Sequence, residues 1–142
     1  MSKCIYNNAI LIDTSAIIAL EDPDDPHHKV ANLYFQSVQN FLWVILNATT
    51  HESYTRIRYD FDFKTAIQTY DFLTNEPILQ IRFKQKDELR TKALLEKYSE
   101  HSISFHDALC AVIMKKVGIG KVFTFDKHFW VFGFEVVPGY TK

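Results

Sequence analysis

The chain has 142 residues, 47% of them hydrophobic and 23% charged, with a formal net charge of −1. That composition excludes a disordered chain, and the near-neutral balance excludes a protein that coats nucleic acid through bulk positive charge, though not one with a local basic rim. Four glycines leave little room for a turn-rich β-sandwich or a flexible linker. Cys4 and Cys110 do not make a disulfide framework, and Cys110 sits in an apolar stretch where free cysteine acts as a small hydrophobe. The N-terminus shows no apolar signal segment, and apolar runs such as "FLWVIL" are too short to cross a membrane. A single domain over residues 1–142, soluble and cytoplasmic, is expected.

In chain order, "AILID" (9–13) reads as a buried strand and "TSAIIAL" as a short helix after it. Beyond the turn-like "EDPDDP", Val30, Leu33, Tyr34, Val38 and Phe41 recur at helical spacing. "FLWVIL" (41–46) is a second strand. The Thr49–Glu52 spacing opens a helix, and Phe63, Ala66, Ile67, Tyr70 and Leu73 mark another. "PILQIRF" (77–83) reads as a third strand, followed over 85–98 by a charged amphipathic helix carrying Leu89, Ala93, Leu94 and Tyr98. From Phe105 to Met114 the chain is apolar except for His106 and Asp107, which describes a buried helix, and Gly118 ends it. "KVFTF" (121–125) is a fourth strand, "DKHFW" a short helix and "FEVV" (134–137) a fifth strand. Strands separated by helices predict a mainly parallel five-stranded sheet with helices on both faces, a three-layer α/β/α sandwich.

In that architecture four acids fall at one edge of the sheet. Asp13 closes the first strand and Asp126 the fourth; Glu52 and Asp107 stand in the first turns of helices that begin at the same edge. Convergence requires strands one, two and four to be neighbours. Each acid also has a plain role open to it: Asp13 and Asp126 as N-caps, Glu52 and Asp107 as members of capping boxes. Clustered carboxylates disfavour their own ionisation and call for cations, and oxygen ligation suits Mg²⁺ or Mn²⁺. Such a centre serves phosphoryl transfer. Zinc fits an oxygen-only ligand set less well. A haloacid-dehalogenase-type phosphatase needs a second Asp two residues after the first, where Ser15 stands, and a response-regulator receiver needs an acidic pair where Ile12 precedes Asp13.

Taken together, "LIDTSAIIAL", "HESYTRIR", "SFHDALCAVIMKKVGIGKVFTFDKHF" and "GFEVVP" closely resemble the PIN domain, and more narrowly the VapC-type toxins of bacterial and archaeal toxin–antitoxin pairs. The resemblance runs over essentially the whole chain. It implies a Mg²⁺- or Mn²⁺-dependent endoribonuclease, with Asp13, Glu52, Asp107 and Asp126 as the catalytic acids and Asp13, Asp107 and Asp126 as the direct metal ligands. It also implies an RNA substrate and a small cognate antitoxin; a homodimer is a further candidate assembly. Thr14, Arg56 and Thr124 are the candidate substrate contacts. Arg56 has an alternative use as the i, i+4 ion-pair partner of Glu52. "HESYTRIRYDFDF" is more polar and aromatic than the apolar helix usual in the family, which bears on the groove and on a partner patch around Phe61, Phe63, Tyr70 and Phe72. The basic stretch "RFKQKDELRTK" (82–92) reads either as an RNA-backbone rim or as a solvated helix face. His106 and His128 flank Asp107 and Asp126 and read either as substrate contacts or as ordinary surface histidines. Two other functions fit the same residues: a PIN nuclease of RNA processing outside toxin–antitoxin systems, and a PIN module that binds without cutting.

Overall fold

The computed structural model describes residues 6–139, so Cys4 lies outside the described residues. The elements run β1 (Ala9–Ile12), α1 (Thr14–Glu21), α2 (His28–Ser37), β2 (Leu42–Leu46), α3 (Asn47–Asp60), α4 (Phe63–Thr74), β3 (Leu79–Ile81), α5 (Gln85–Lys97), α6 (Phe105–Val117), β4 (Lys121–Phe123), a 3₁₀ helix (Lys127–Phe132) and β5 (Glu135–Val137). All five strands pair in parallel in the order β3-β2-β1-β4-β5. The first strand therefore lies between the second and the fourth, as convergence of the acids requires.

Alternation along the strands divides the apolar residues between two helical layers. Ile10, Ile12, Trp43, Ile45 and Phe123 pack with Ile17, Ala31, Ile57, Ala66 and Leu73 of α1 to α4. Ala9, Leu11, Val44, Leu46 and Val122 pack on the other face with Leu109, Ile113 and Met114 of α6, and Leu94 of α5 adds to that layer. Leu11 of β1 is fully buried between the two layers. This is the expected α/β/α sandwich.

Local boundaries depart from the sequence reading where tertiary contacts outweigh periodicity. α3 starts at Asn47, directly after β2, and has no side-chain cap. Thr49 is thus not an N-cap; its hydroxyl lies 2.7 Å from the His106 ring, and Glu52 stands in the second turn rather than the first. The Asn47 side chain fastens this junction by accepting the Phe83 N–H at 3.3 Å. α2 ends at Ser37, and its buried side is Ala31 with Tyr34 and Phe35 behind it, while Val30 and Leu33 face solvent. α5 turns Leu89 outward and buries Asp87 and Thr91. At Gly118 the backbone adopts φ 84°, the left-handed conformation that glycine takes without strain, and its N–H returns to the Met114 carbonyl.

Candidate active site

β1 delivers Asp13 to the carboxyl edge of the sheet, where it also caps α1. Its Oδ2 accepts the Thr124 hydroxyl at 2.7 Å, the Ser15 hydroxyl at 2.9 Å and, more weakly, the Ser15 N–H at 3.4 Å. Asp13 is 2% exposed, yet Oδ1 is buried with no hydrogen-bond partner among the described residues. A carboxylate oxygen can only accept, and leaving one dry and unpartnered is costly.

α6 brings in Asp107. Ser104, the N-cap, accepts the Asp107 N–H at 3.0 Å, which satisfies the backbone half of the expected capping box. The Asp107 side chain is spent elsewhere: Oδ1 lies 3.2 Å from His106 Nδ1 and Oδ2 lies 4.0 Å from His128 Nδ1. Asp126 follows β4 and caps the 3₁₀ helix through the His128 N–H at 2.9 Å. α3 contributes Glu52, whose side chain is 40% exposed and whose Oε2 lies 3.4 Å from His106 Nδ1. The four acids thus come together around one cleft of about 220 Å³, whose lining includes Thr14, Ser15, Arg56 and Ser104 as well as His106 and His128.

Thr14 is buried and its hydroxyl is unpartnered, and Arg56 is exposed at the cleft. Among the described residues Glu52 pairs with His106 and not with Arg56. Thr124 is 1% exposed and lies behind the acids; its oxygen also accepts the Asp126 N–H at 3.0 Å, so one hydroxyl joins two of the four acids. Ser15 extends that link by accepting the Phe125 N–H at 2.9 Å. The basic residues of 82–92 lie apart from this cleft. Lys84, Lys86 and Arg90 line a separate groove with Lys116.

His106 is the residue that the sequence left open between a substrate contact and an ordinary surface position, and it lies in the cleft. Its side chain is only 14% exposed, and its Nδ1 stands among three carboxylates, with Asp13 Oδ1 at 4.0 Å. The spacing "HD" at a helix start carried the signal, but only the contact of α6 with α3 turns the ring inward. Burial works against the imidazolium, yet the Asp107 hydrogen bond, the Cys110 contacts and the Glu52 charge outweigh it and push the pKa up to about 11. Burial raises Asp107 to about 6, against the opposing His106 hydrogen bond, and the neighbouring Asp13 and Asp126 add to the rise. Burial raises the Cys110 thiol as well. Two groups of side chains bring their donor atoms within 4.8 Å of one another: Asp13 with His106 and Asp107, and Asp107 with Asp126 and His128. The unpartnered Asp13 oxygen and these groups fit a divalent cation.

A family model described as "PIN domain" matches residues 10–135. No curated protein matches the chain significantly. Among solved structures, the chain is similar to the sarcin–ricin-loop-cleaving toxin VapC20 of Mycobacterium tuberculosis at 23% identity and a TM-score of 0.83, covering 88% of this chain and 95% of that one. A toxin–antitoxin complex from Klebsiella pneumoniae follows at 16% identity and 0.68, covering 94% and 99%. VapBC2 of Rickettsia felis, bound to a promoter DNA fragment, has 15% identity and 0.65, covering 90% and 96%. With the family model spanning residues 10–135 and the VapC fold shared along most of its length, the chain belongs to the PIN domain family.

Proposed function

We propose that this PIN domain is a Mg²⁺- or Mn²⁺-dependent endoribonuclease acting as the toxin of a toxin–antitoxin pair. The observation that carries the reading is Asp13 Oδ1, a buried acceptor without a partner at the meeting point of four acids. Asp13, Asp107 and Asp126 would hold the ion, and Glu52, the most exposed of the four acids, would act through water. When bound, the ion supplies Lewis acidity toward the phosphate and makes water acidic enough to attack at neutral pH. Glu52 Oε2 orients the attacking water and takes its proton. Arg56, exposed at the cleft, holds the phosphate, whereas the Thr14 hydroxyl, expected as a second contact, is buried out of its reach. Thr124 and Ser15 keep Asp13 Oδ2 occupied, which leaves Oδ1 free for the cation.

RNA is the substrate proposed on the strength of the family and of the neighbouring toxin named for cleaving the sarcin–ricin loop. An antitoxin partner is proposed from the two toxin–antitoxin complexes that share the fold. Its surface is the exposed apolar group Tyr59, Phe61, Phe63, Ile67, Tyr70 and Phe72 on α3 and α4 and the turn between them. α3 connects that patch to Glu52 and Arg56, so a segment docked there reaches the acids with an Arg or Lys. Incubation of the purified chain with structured RNA tests the activity. Cleavage is expected with Mg²⁺ or Mn²⁺, is stopped by EDTA and returns on adding metal; cleavage that persists in EDTA contradicts the mechanism. Co-expression with the product of the adjacent reading frame, followed by size-exclusion chromatography, tests the partner. Absence of co-elution would favour an RNA-processing role.

A further inference from the structure

The acidic cluster contains a nitrogen donor that an oxygen-only centre lacks. His106 Nε2 lies 2.7 Å from the Thr49 hydroxyl, which is fully buried in α3. Nδ1 faces the cleft, and once its proton is released to an incoming cation, with the other ring proton kept on Nε2 and donated to Thr49, it presents its lone pair there. A second contact from Cys110 Sγ, 3.7 Å from Nε2, closes the back of the ring. This is how metal-ligating histidines are ordinarily held, one nitrogen on the ion and the other on a fixed partner.

Distances on the cleft side agree with a shared ion. Donors on an octahedral cation with bonds of about 2.1 Å stand roughly 3.0 Å apart when adjacent and about 4.2 Å apart when opposite. His106 Nδ1 lies 3.2 Å from Asp107 Oδ1 and 4.0 Å from Asp13 Oδ1. That Asp13 oxygen is the buried atom without a hydrogen-bond partner, so an independent observation points at the same spot.

We propose that His106 Nδ1 is a direct ligand, with Asp13 and Asp107, of the divalent ion, and that it biases this centre toward Mn²⁺ over Mg²⁺. The inference rests on the metal-dependent reading above and deepens it. Mn²⁺ also favours oxygen, but as a transition ion it accepts an imidazole nitrogen in its shell, whereas Mg²⁺ strongly prefers oxygen and retains its waters. Replacing one oxygen of the shell by nitrogen therefore helps Mn²⁺ and does little for Mg²⁺.

Calorimetric titration of the full chain with MnCl₂ and with MgCl₂ separately reads the preference without any activity assay. The wild type is expected to bind Mn²⁺ at least tenfold more tightly than Mg²⁺. His106→Gln, which offers oxygen at similar reach, is expected to weaken Mn²⁺ about tenfold or more while Mg²⁺ affinity stays within about threefold. Thr49→Val keeps the ligand but removes its orienting partner and is expected to show a smaller loss of the same kind. Pulsed electron paramagnetic resonance at substoichiometric Mn²⁺ should show nitrogen coupling in the wild type and in His128→Gln, and none in His106→Gln. Nitrogen coupling absent from the wild type, or lost only in His128→Gln, overturns the assignment. Equal effects of His106→Gln on both ions also overturn it while leaving the nuclease reading intact. A wild type that binds neither ion refutes the metal-dependent reading itself.

Discussion

Asp13 uses its two oxygens differently: Oδ2 collects the Thr124 and Ser15 hydroxyls, and Oδ1 is buried with nothing to accept. Thr124→Val keeps the shape of the side chain and removes both the Oδ2 donor and the acceptor of the Asp126 N–H. Cleavage is expected to fall by about tenfold to a hundredfold, the range for loss of a partner that orients a metal ligand. Asp107 carries the charge cost of the cluster. Its folded pKa of about 6 lies above the ordinary 3.8, so the metal-free protein loses stability as pH rises from about 4 through 6 and is then penalised by up to about 3 kcal/mol. In EDTA at pH 8, Asp107→Asn should melt at or above the wild-type temperature, with the difference vanishing near pH 4. A variant that melts lower at both pH values would mean that the Asp107 contacts with His106 and His128 outweigh the charge cost of the cluster. The positions of the acids were legible because strand ends and helix starts in a parallel sheet share an edge. The inward turn of His106 was not, because it depends on Thr49 reaching across from another helix.

α5 gives the same lesson for elements. Its apolar residues pointed to a face through Leu89 and Ala93, but Leu89 is exposed and the buried positions are Asp87 and Thr91. Hydrophobic periodicity cannot weigh a buried ion pair. Asp87 accepts the Lys84 N–H at 2.7 Å and meets Lys116 Nζ of α6 at 3.1 Å. Burial alone would raise its pKa, but the Lys84 N–H and the Lys116 ammonium outweigh it and hold the carboxyl below the ordinary carboxylate range. Removing one partner of a buried pair is costly, although the remaining N–H contact and the partial exposure of Lys116 moderate the loss. Lys116→Met is expected to lower the unfolding free energy in urea by about 1–3 kcal/mol at pH 7. Lys115→Met, at the exposed neighbouring position, should change it by less than about 0.5 kcal/mol. Because the Asp87 pKa is depressed, its contribution is present above pH 3.8 and fades as pH falls through the lower folded value. The gap between Lys116→Met and wild type should therefore close in acid. Equal losses for both lysine variants would remove the ion pair from the account of how α5 docks on α6.

At the scale of the whole molecule, alternation of strands and helices was enough to predict the layers, and strand order was not. Sequence shows that Asp13, Glu52, Asp107 and Asp126 leave the same edge of a sheet; only the placement of β1 between β2 and β4 brings them around one cleft. The central claim is that this convergence holds a catalytic cation, with the Asp13 carboxylate as its anchor. The most direct test is the rate of RNA cleavage by Asp13→Asn in Mn²⁺, measured beside its melting temperature. The substitution removes ligand charge at constant volume, so the rate should fall at least about a hundredfold while the protein remains folded. A folded Asp13→Asn that cleaves at the wild-type rate would contradict the account.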